Sequence, residues 1–208
     1  AWDSFFACRV AWADESANFV RTSGGVREPT DIKRLEAPYY IEIDLPKQQT
    51  AILTGGLPYH RRIGLRMLDA LLITRGETAR SFRLGVGVDV THPLQEALAL
   101  MTPPTAEFKQ AAPPRGPSSS WLFHVDSKNV VATHWSPLLE AEQVVGFRVR
   151  LQEVYGRAAK VALSSFRNVA SATKVDFTGE TIAGCHVEGD KITFDMSPRE
   201  WAELEVRF

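Results

Sequence analysis

Apolar and polar positions alternate with a period of two along much of this chain, and that pattern predicts strands. In Trp2–Trp12, Phe6, Cys8, Val10 and Trp12 share one face, and Ala7, Arg9 and Ala11 share the other. Tyr39, Ile41, Ile43 and Leu45 alternate with Tyr40, Glu42 and Asp44, the clearest half-buried strand of the first half. Pro46–Gln49 turns the chain and Thr50–Leu53 returns, which makes a hairpin. Phe82, Leu84, Val86 and Val88 alternate against Arg83, Gly85, Gly87 and Asp89. The two glycines on one face leave room for a neighbouring aromatic ring. His92–Met101 is the best helix candidate, with Pro93 at a first helical position and Leu94, Ala97, Leu98 and Met101 as its stripe.

The second half is denser in strands. Leu122–Asp126, Val130–Trp135, Val144–Tyr155, Ala159–Leu163, Ala172–Asp176, His186–Glu188, Lys191–Met196 and Glu203–Phe208 all read as strands, divided by short turns such as Ser127-Lys128-Asn129 and Gly189-Asp190. Ser197–Ala202 suggests one helical turn with Ser197 as cap. Strand signals recurring at intervals near ten residues indicate an all-β fold, an antiparallel β-sandwich with few short helices. Pro103, Pro104, Pro113, Pro114, Pro117 and Ser118–Ser120 mark an exposed connector. The expected division is therefore residues 1–112, a connector at 113–120, and a second β unit at 121–208.

Composition narrows the function classes. The chain has 208 residues, 44% hydrophobic and 24% charged, with a net charge of −1. No basic excess draws in phosphate backbones, so nucleic acid is not an expected partner. No apolar run of about 18 residues exists, so no membrane partner is expected. The chain opens on Ala-Trp-Asp without an initiator Met or a signal-peptide pattern, and reads as a processed form or a part of something longer. Cys8 and Cys185, far apart in sequence, read as two buried or half-buried thiols.

The motifs that carry chemistry are few. His124-x-Asp126 and His186-x-Glu188 each place two metal-capable groups on one strand face, but the first has no third ligand nearby, and the second lacks the Pro-Cys-x-x-Cys partner of a deaminase site, which Cys185 alone does not repair. There is no Gly-x-Ser-x-Gly elbow, no P-loop lysine after Gly55-Gly56, and no third glycine after Gly85-x-Gly87. No catalytic residue and no metal ligand set is assigned. One stretch stands out: Leu53–Ile73, LTGGLPYHRRIGLRMLDALLI, crowds glycines, a proline and polar groups between two apolar runs. It reads as a loop braced by strands. Tyr59, His60, Arg61, Arg62 and Asp69 are its candidate ligand-binding residues. Guanidiniums suit hydroxyl and carboxylate recognition, and an aromatic suits the apolar face of a sugar. The plainer alternative is a polar loop whose arginines bond carbonyls or nearby acids, with Asp69 pointing outward or paired with Arg66 or Arg62.

GFRVRLQEVYGRAAKVAL from Gly146, with Arg150, Glu153, Gly156 and Arg157, followed by Asp176, Gly179 and Glu180 and a closing strand reached through Pro198 and Glu200, resembles the C-terminal β-sandwich of family 38 glycoside hydrolases, the α-mannosidases. ILTGGLPYHRRIGLRMLDALL with GETARSFRLGVGVD is similar to the preceding large, galactose-mutarotase-like β domain of bacterial members. No segment matches the family's catalytic domain, which carries the zinc ligands and the aspartate nucleophile. The resemblance implies a non-catalytic β portion that packs on the catalytic domain of the same protein, with no cofactor of its own and zinc in that missing domain. It also implies that adjacent arginines, here Arg61 and Arg62, approach a mannose-containing glycan. A stand-alone carbohydrate-binding module and a purely structural interaction domain remain open beside it.

Overall fold

The structure, a computed structural model, describes residues 4–23, 26–108 and 120–208. It divides into two compact units, Ala1–Ala106 and Glu107–Phe208. Apart from Ser120, the expected connector lies outside the described residues.

The first unit contains β1 (Phe6–Ala11), β2 (Asn18–Ser23), β3 (Val26–Pro29), β4 (Arg34–Glu36), β5 (Tyr40–Leu45), β6 (Gln48–Leu53), β7 (Tyr59–Ile63), β8 (Met67–Ile73), β9 (Gly85–Val88) and the helix α1 (Pro93–Met101). Its strands form two antiparallel sheets, β1-β8-β7-β4 and β3-β2-β5-β6-β9. Leu35 and Leu68 from the first sheet meet Phe19, Ile41, Ile43 and Ile52 from the second in one core. α1 lies against β5, β6 and β9 and buries Pro93, Leu94 and Ala97.

Both faces of β5 are therefore covered. Its alternation predicted an outward Glu42, yet Glu42 is buried. Arg27 Nε donates to Glu42 Oε2 at 2.6 Å, and Gln49 Nε2 donates to Oε1 at 3.1 Å. Burial pushes the Glu42 carboxyl upward, against the pull of Arg27. The expected strand at Phe82–Val88 shortens to Gly85–Val88, and aliphatic groups, not an aromatic ring, crowd its glycines. A Cβ on Gly85 would meet Leu53 at 3.0 Å, and one on Gly87 would meet Val90 at 2.5 Å.

The second unit contains β10 (Phe123–Val125), β11 (Val130–Glu140), β12 (Gln143–Glu153), β13 (Ala159–Ser165), β14 (Ser171–Val175), β15 (Thr181–Gly184), β16 (His186–Glu188), β17 (Lys191–Met196) and β18 (Trp201–Arg207). Two antiparallel sheets, β11-β12-β18-β14-β15 and β10-β13-β17-β16, close on a core that includes Val149, Leu151, Leu163, Ile192 and Leu204. This is the all-β sandwich that the alternation predicted. The helical turn expected at Ser197–Ala202 does not form. Arg199 takes a φ of 61°, which a right-handed helix forbids, and Glu200 Oε2 accepts the Ser197 N–H at 2.7 Å to close a tight turn.

Two acids that carry the family resemblance, Glu153 and Asp176, hold turns, whereas Arg150 pairs with Glu203 across β12 and β18. Glu153 is buried, and it accepts Asn129 Nδ2 at 3.0 Å and the backbone N–H groups of Tyr155, Gly156 and Arg199 at 2.9, 2.7 and 2.8 Å. Burial alone would raise its carboxyl; these donors outweigh it and hold the group below its usual range. Asp176 Oδ1 accepts the N–H groups of Thr178 and Glu180 at 2.8 and 2.9 Å. Gly179 then supplies the φ of 95° that the turn into β15 requires.

Candidate functional site

Most of the stretch read as a loop is two antiparallel strands, β7 and β8. Gly55 and Gly56, with φ of 60° and 89°, turn the chain out of β6. A side chain at Gly55 would place its Cβ 2.1 Å from the Arg83 carbonyl oxygen. The chain then runs directly into β7. This matters chemically, because a strand sends successive side chains to opposite faces. Tyr59 and Arg61 go one way, His60 and Arg62 the other.

His60 and Arg62 belong to the inner face. His60 is fully buried, and its Nε2–H donates to the carbonyls of Ala37 at 3.1 Å and Leu57 at 2.9 Å. Its Nδ1 has no partner among the described residues. Burial penalises the imidazolium and lowers the pKa to about 4, so the ring is neutral at pH 7. The Arg62 guanidinium lies over the Phe19 ring, 5.0 Å from its centroid, and donates to the Thr30 and Leu65 carbonyls at 3.5 and 3.3 Å. Arg62 thus fills the bland role of bonding carbonyls, and neither residue reaches the outward face.

The outward face carries a cross-strand row. Arg9 on β1 pairs with Asp69 on β8, Asp69 with Arg61 on β7, and Arg61 with Arg34 on β4. Asp69 is 3% exposed, yet it is bonded neither to Arg66 nor to Arg62. Arg9 grips it bidentately, Nε to Oδ1 at 2.6 Å and Nη2 to Oδ2 at 2.9 Å. Arg61 is half-buried, with its guanidinium 5.9 Å from the Phe5 ring centroid. Tyr59, 43% exposed, lies two positions along β7 on the same face. Of the five candidates, Tyr59, Arg61 and Asp69 share this face.

Among the described residues no three His, Cys, Asp or Glu side chains gather to hold an ion, so zinc has no ligand set among them. Asp126 is used structurally, its Oδ1 accepting the Ala162 N–H at 2.8 Å. His124 is exposed, with its ring 6.5 Å from that of Trp121. Cys8 and Cys185 are free, half-buried thiols.

One further concavity escaped sequence reasoning. In the second unit Phe123, Trp135, Phe147, Phe166 and Phe208 line an apolar cavity of about 240 Å³. Phe123 and Trp135 stack with centroids 4.3 Å apart. Phe123, Trp135 and Phe147 lie on strands of the two sheets, Phe166 and Phe208 follow directly on the ends of two others, and only the packing of the sheets brings them together.

With this geometry in hand, the fold can be compared with solved structures. The fold is shared with part of an α-mannosidase. The crystal structure of an α-mannosidase from Enterococcus faecalis V583 superposes with a TM-score of 0.63 at 12% identity, covering 95% of this chain and 25% of that one. A protein of glycosyl hydrolase family 38 from Enterococcus faecalis gives a TM-score of 0.68 at 14% identity, covering 96% of this chain and 26% of that one. The chain thus spans about a quarter of the length of the structures it matches. No protein-family model matches the sequence, and no curated protein matches it.

Proposed function

We propose that this chain is the non-catalytic β portion of an α-mannosidase-like glycoside hydrolase, and that it supports a separate zinc-bearing catalytic domain. The observation that carries the reading is the extent of the shared fold: nearly the whole chain matches about a quarter of two such hydrolases. The fate of the acids supports it. Glu153, Asp176 and Asp126 are bonded to backbone N–H groups, and Asp69 is held by Arg9, so none is poised as nucleophile or general acid. In this reading the outward face of β7 and β8 contacts a mannose-containing glycan through Tyr59 and Arg61, whereas His60 and Arg62 serve the fold.

The test is an assay of the chain on an aryl α-mannoside with added zinc. No turnover is expected from the chain alone, and robust zinc-dependent hydrolysis would overturn the proposal. A second reading, a stand-alone carbohydrate-binding module, draws support from the exposed Tyr59 ring beside Arg61. It predicts saturable calorimetric binding to glycans that Tyr59→Ala weakens, in the absence of any catalytic domain.

A further inference from the structure

We infer that the aromatic cavity of the second unit, with the exposed apolar residues around it, is the surface on which the separate catalytic domain docks, and that this domain inserts one large apolar side chain into the cavity. This rests on the supporting role proposed above and adds the surface that carries it.

β11 is the last strand of one sheet and β10 the last strand of the other. Phe123 of β10 stacks on Trp135 of β11, so the cavity of about 240 Å³ lies where the two sheet edges meet. No ionisable side chain lines it. A sugar seated there would lose water from its hydroxyls and gain few partners, which makes a glycan the wrong occupant. An apolar cavity of about 150 Å³ already admits benzene, so this one has room for a large apolar side chain. The surroundings favour a macromolecule over a free small molecule. Trp135, Val144 and Phe166 line the cavity and are exposed. The Leu122 carbonyl accepts the Phe166 N–H at 2.9 Å, which sets the exposed Trp121 and Leu122 beside it, and the exposed Leu139 stands opposite Val144 across β11 and β12. Charge stays at the margin: Arg167 lies over the Phe166 and Phe208 rings, and Arg207 pairs with Glu140 next to Leu139. An aromatic centre with a pocket and a charged rim is the anatomy of a protein interface. Side-chain insertion is the mode that fits. Pro137 removes an N–H from β11, and register shifts interrupt that strand at Ala132/His134 and Leu138/Leu139, so its edge is a poor template for an added strand. The shared fold argues for the partner. It fills only 25% and 26% of the two hydrolases it matches, so there it is built into a polypeptide about four times as long. A domain tethered to the same chain meets this surface at an effective concentration that a second copy does not reach.

The experiment compares the isolated chain with the full-length hydrolase expressed from the reading frame that encodes it, by hydroxyl-radical labelling of side chains. Trp135 and Phe166 should label freely in the isolated chain and at least about fivefold less in the hydrolase, as in the packed core of an interface. Val144→Arg, at an exposed position, should leave the urea midpoint of the isolated chain unchanged and restore most of the labelling in the hydrolase. Equal labelling in the two proteins, or a Val144→Arg hydrolase labelled like the wild type, overturns the inference. Trp135 and Phe166 unreactive in the isolated chain, or self-association of that chain which Val144→Arg abolishes, overturns it too, with the chain itself or a second copy as the occupant. If the hydrolase turns over an aryl α-mannoside while both rings stay reactive, the docking surface fails and the supporting role stands. If the frame encodes no catalytic domain, both fail.

Discussion

His60 makes the stability of the first unit depend on pH in a way that can be worked from its surroundings. The ring is fully buried, and burial brings its pKa from 6.5 to about 4. In the unfolded chain it titrates near 6.5, so between these values the unfolded state binds a proton that the folded state refuses. Stability must therefore fall as pH drops from 6.5 towards 4, with no further loss from this group below that. The gap corresponds to about 3 kcal/mol at full development. His60→Gln removes the titration and keeps an amide able to donate to the Ala37 and Leu57 carbonyls. Urea unfolding of both proteins at pH 7 and pH 4, read from resolved resonances of the first unit, cancels the carboxylates that titrate in each. The wild-type chain should lose about 3 kcal/mol more than the variant over this range. The imidazole itself should titrate near pH 4 by NMR. A midpoint near 6.5, or equal losses in the two proteins, would refute the reasoning.

Other perturbations follow from the same contacts. Glu153→Ala strips four donors of their buried acceptor and should cost the second unit about 3 kcal/mol or more in urea unfolding, with the first unit unchanged. Because the Glu153 carboxyl is held below its usual range, its contribution is present above the ordinary carboxylate pKa and is lost as pH falls through the folded value, which Glu153→Gln should flatten. Arg9→Met leaves the buried Asp69 without its bidentate partner and should lower the urea midpoint of the first unit; an unchanged midpoint would contradict the pairing. Gly55→Ala meets both a positive φ and the Arg83 carbonyl; a loss of at least about 1 kcal/mol is expected, and an unchanged midpoint would contradict the turn geometry.

The sequence made most strands legible because their buried faces are filled by apolar residues at every second position. It failed at Tyr59–Ile63 for a physical reason: the inner face of that strand is filled by His60 and Arg62, so the alternation is written in polar residues and reads as loop. Glu42 misled in the opposite sense. Its polarity marked an outward position, but α1 covers that face of the sheet, and Arg27 and Gln49 satisfy the carboxylate there. The partner of Asp69 could not be read locally, since Arg9 lies 60 residues away and arrives only through the β1–β8 pairing.

The family resemblance has a similar anatomy. Asp176, Gly179 and Glu180 are a local turn, and their chemistry is written in adjacent residues. Glu153 is anchored by Asn129 and Arg199, 24 and 46 residues distant, which no local pattern announces. Matches at these positions are matches in what the sandwich needs to close its turns. They speak for shared architecture, and a chain could keep all of them while changing its ligand. Function must be argued from residues that the fold does not consume. Arg61 on the outward row is one such residue: half-buried and without a hydrogen bond to any described residue, it sets its guanidinium 5.9 Å from the Phe5 ring centroid.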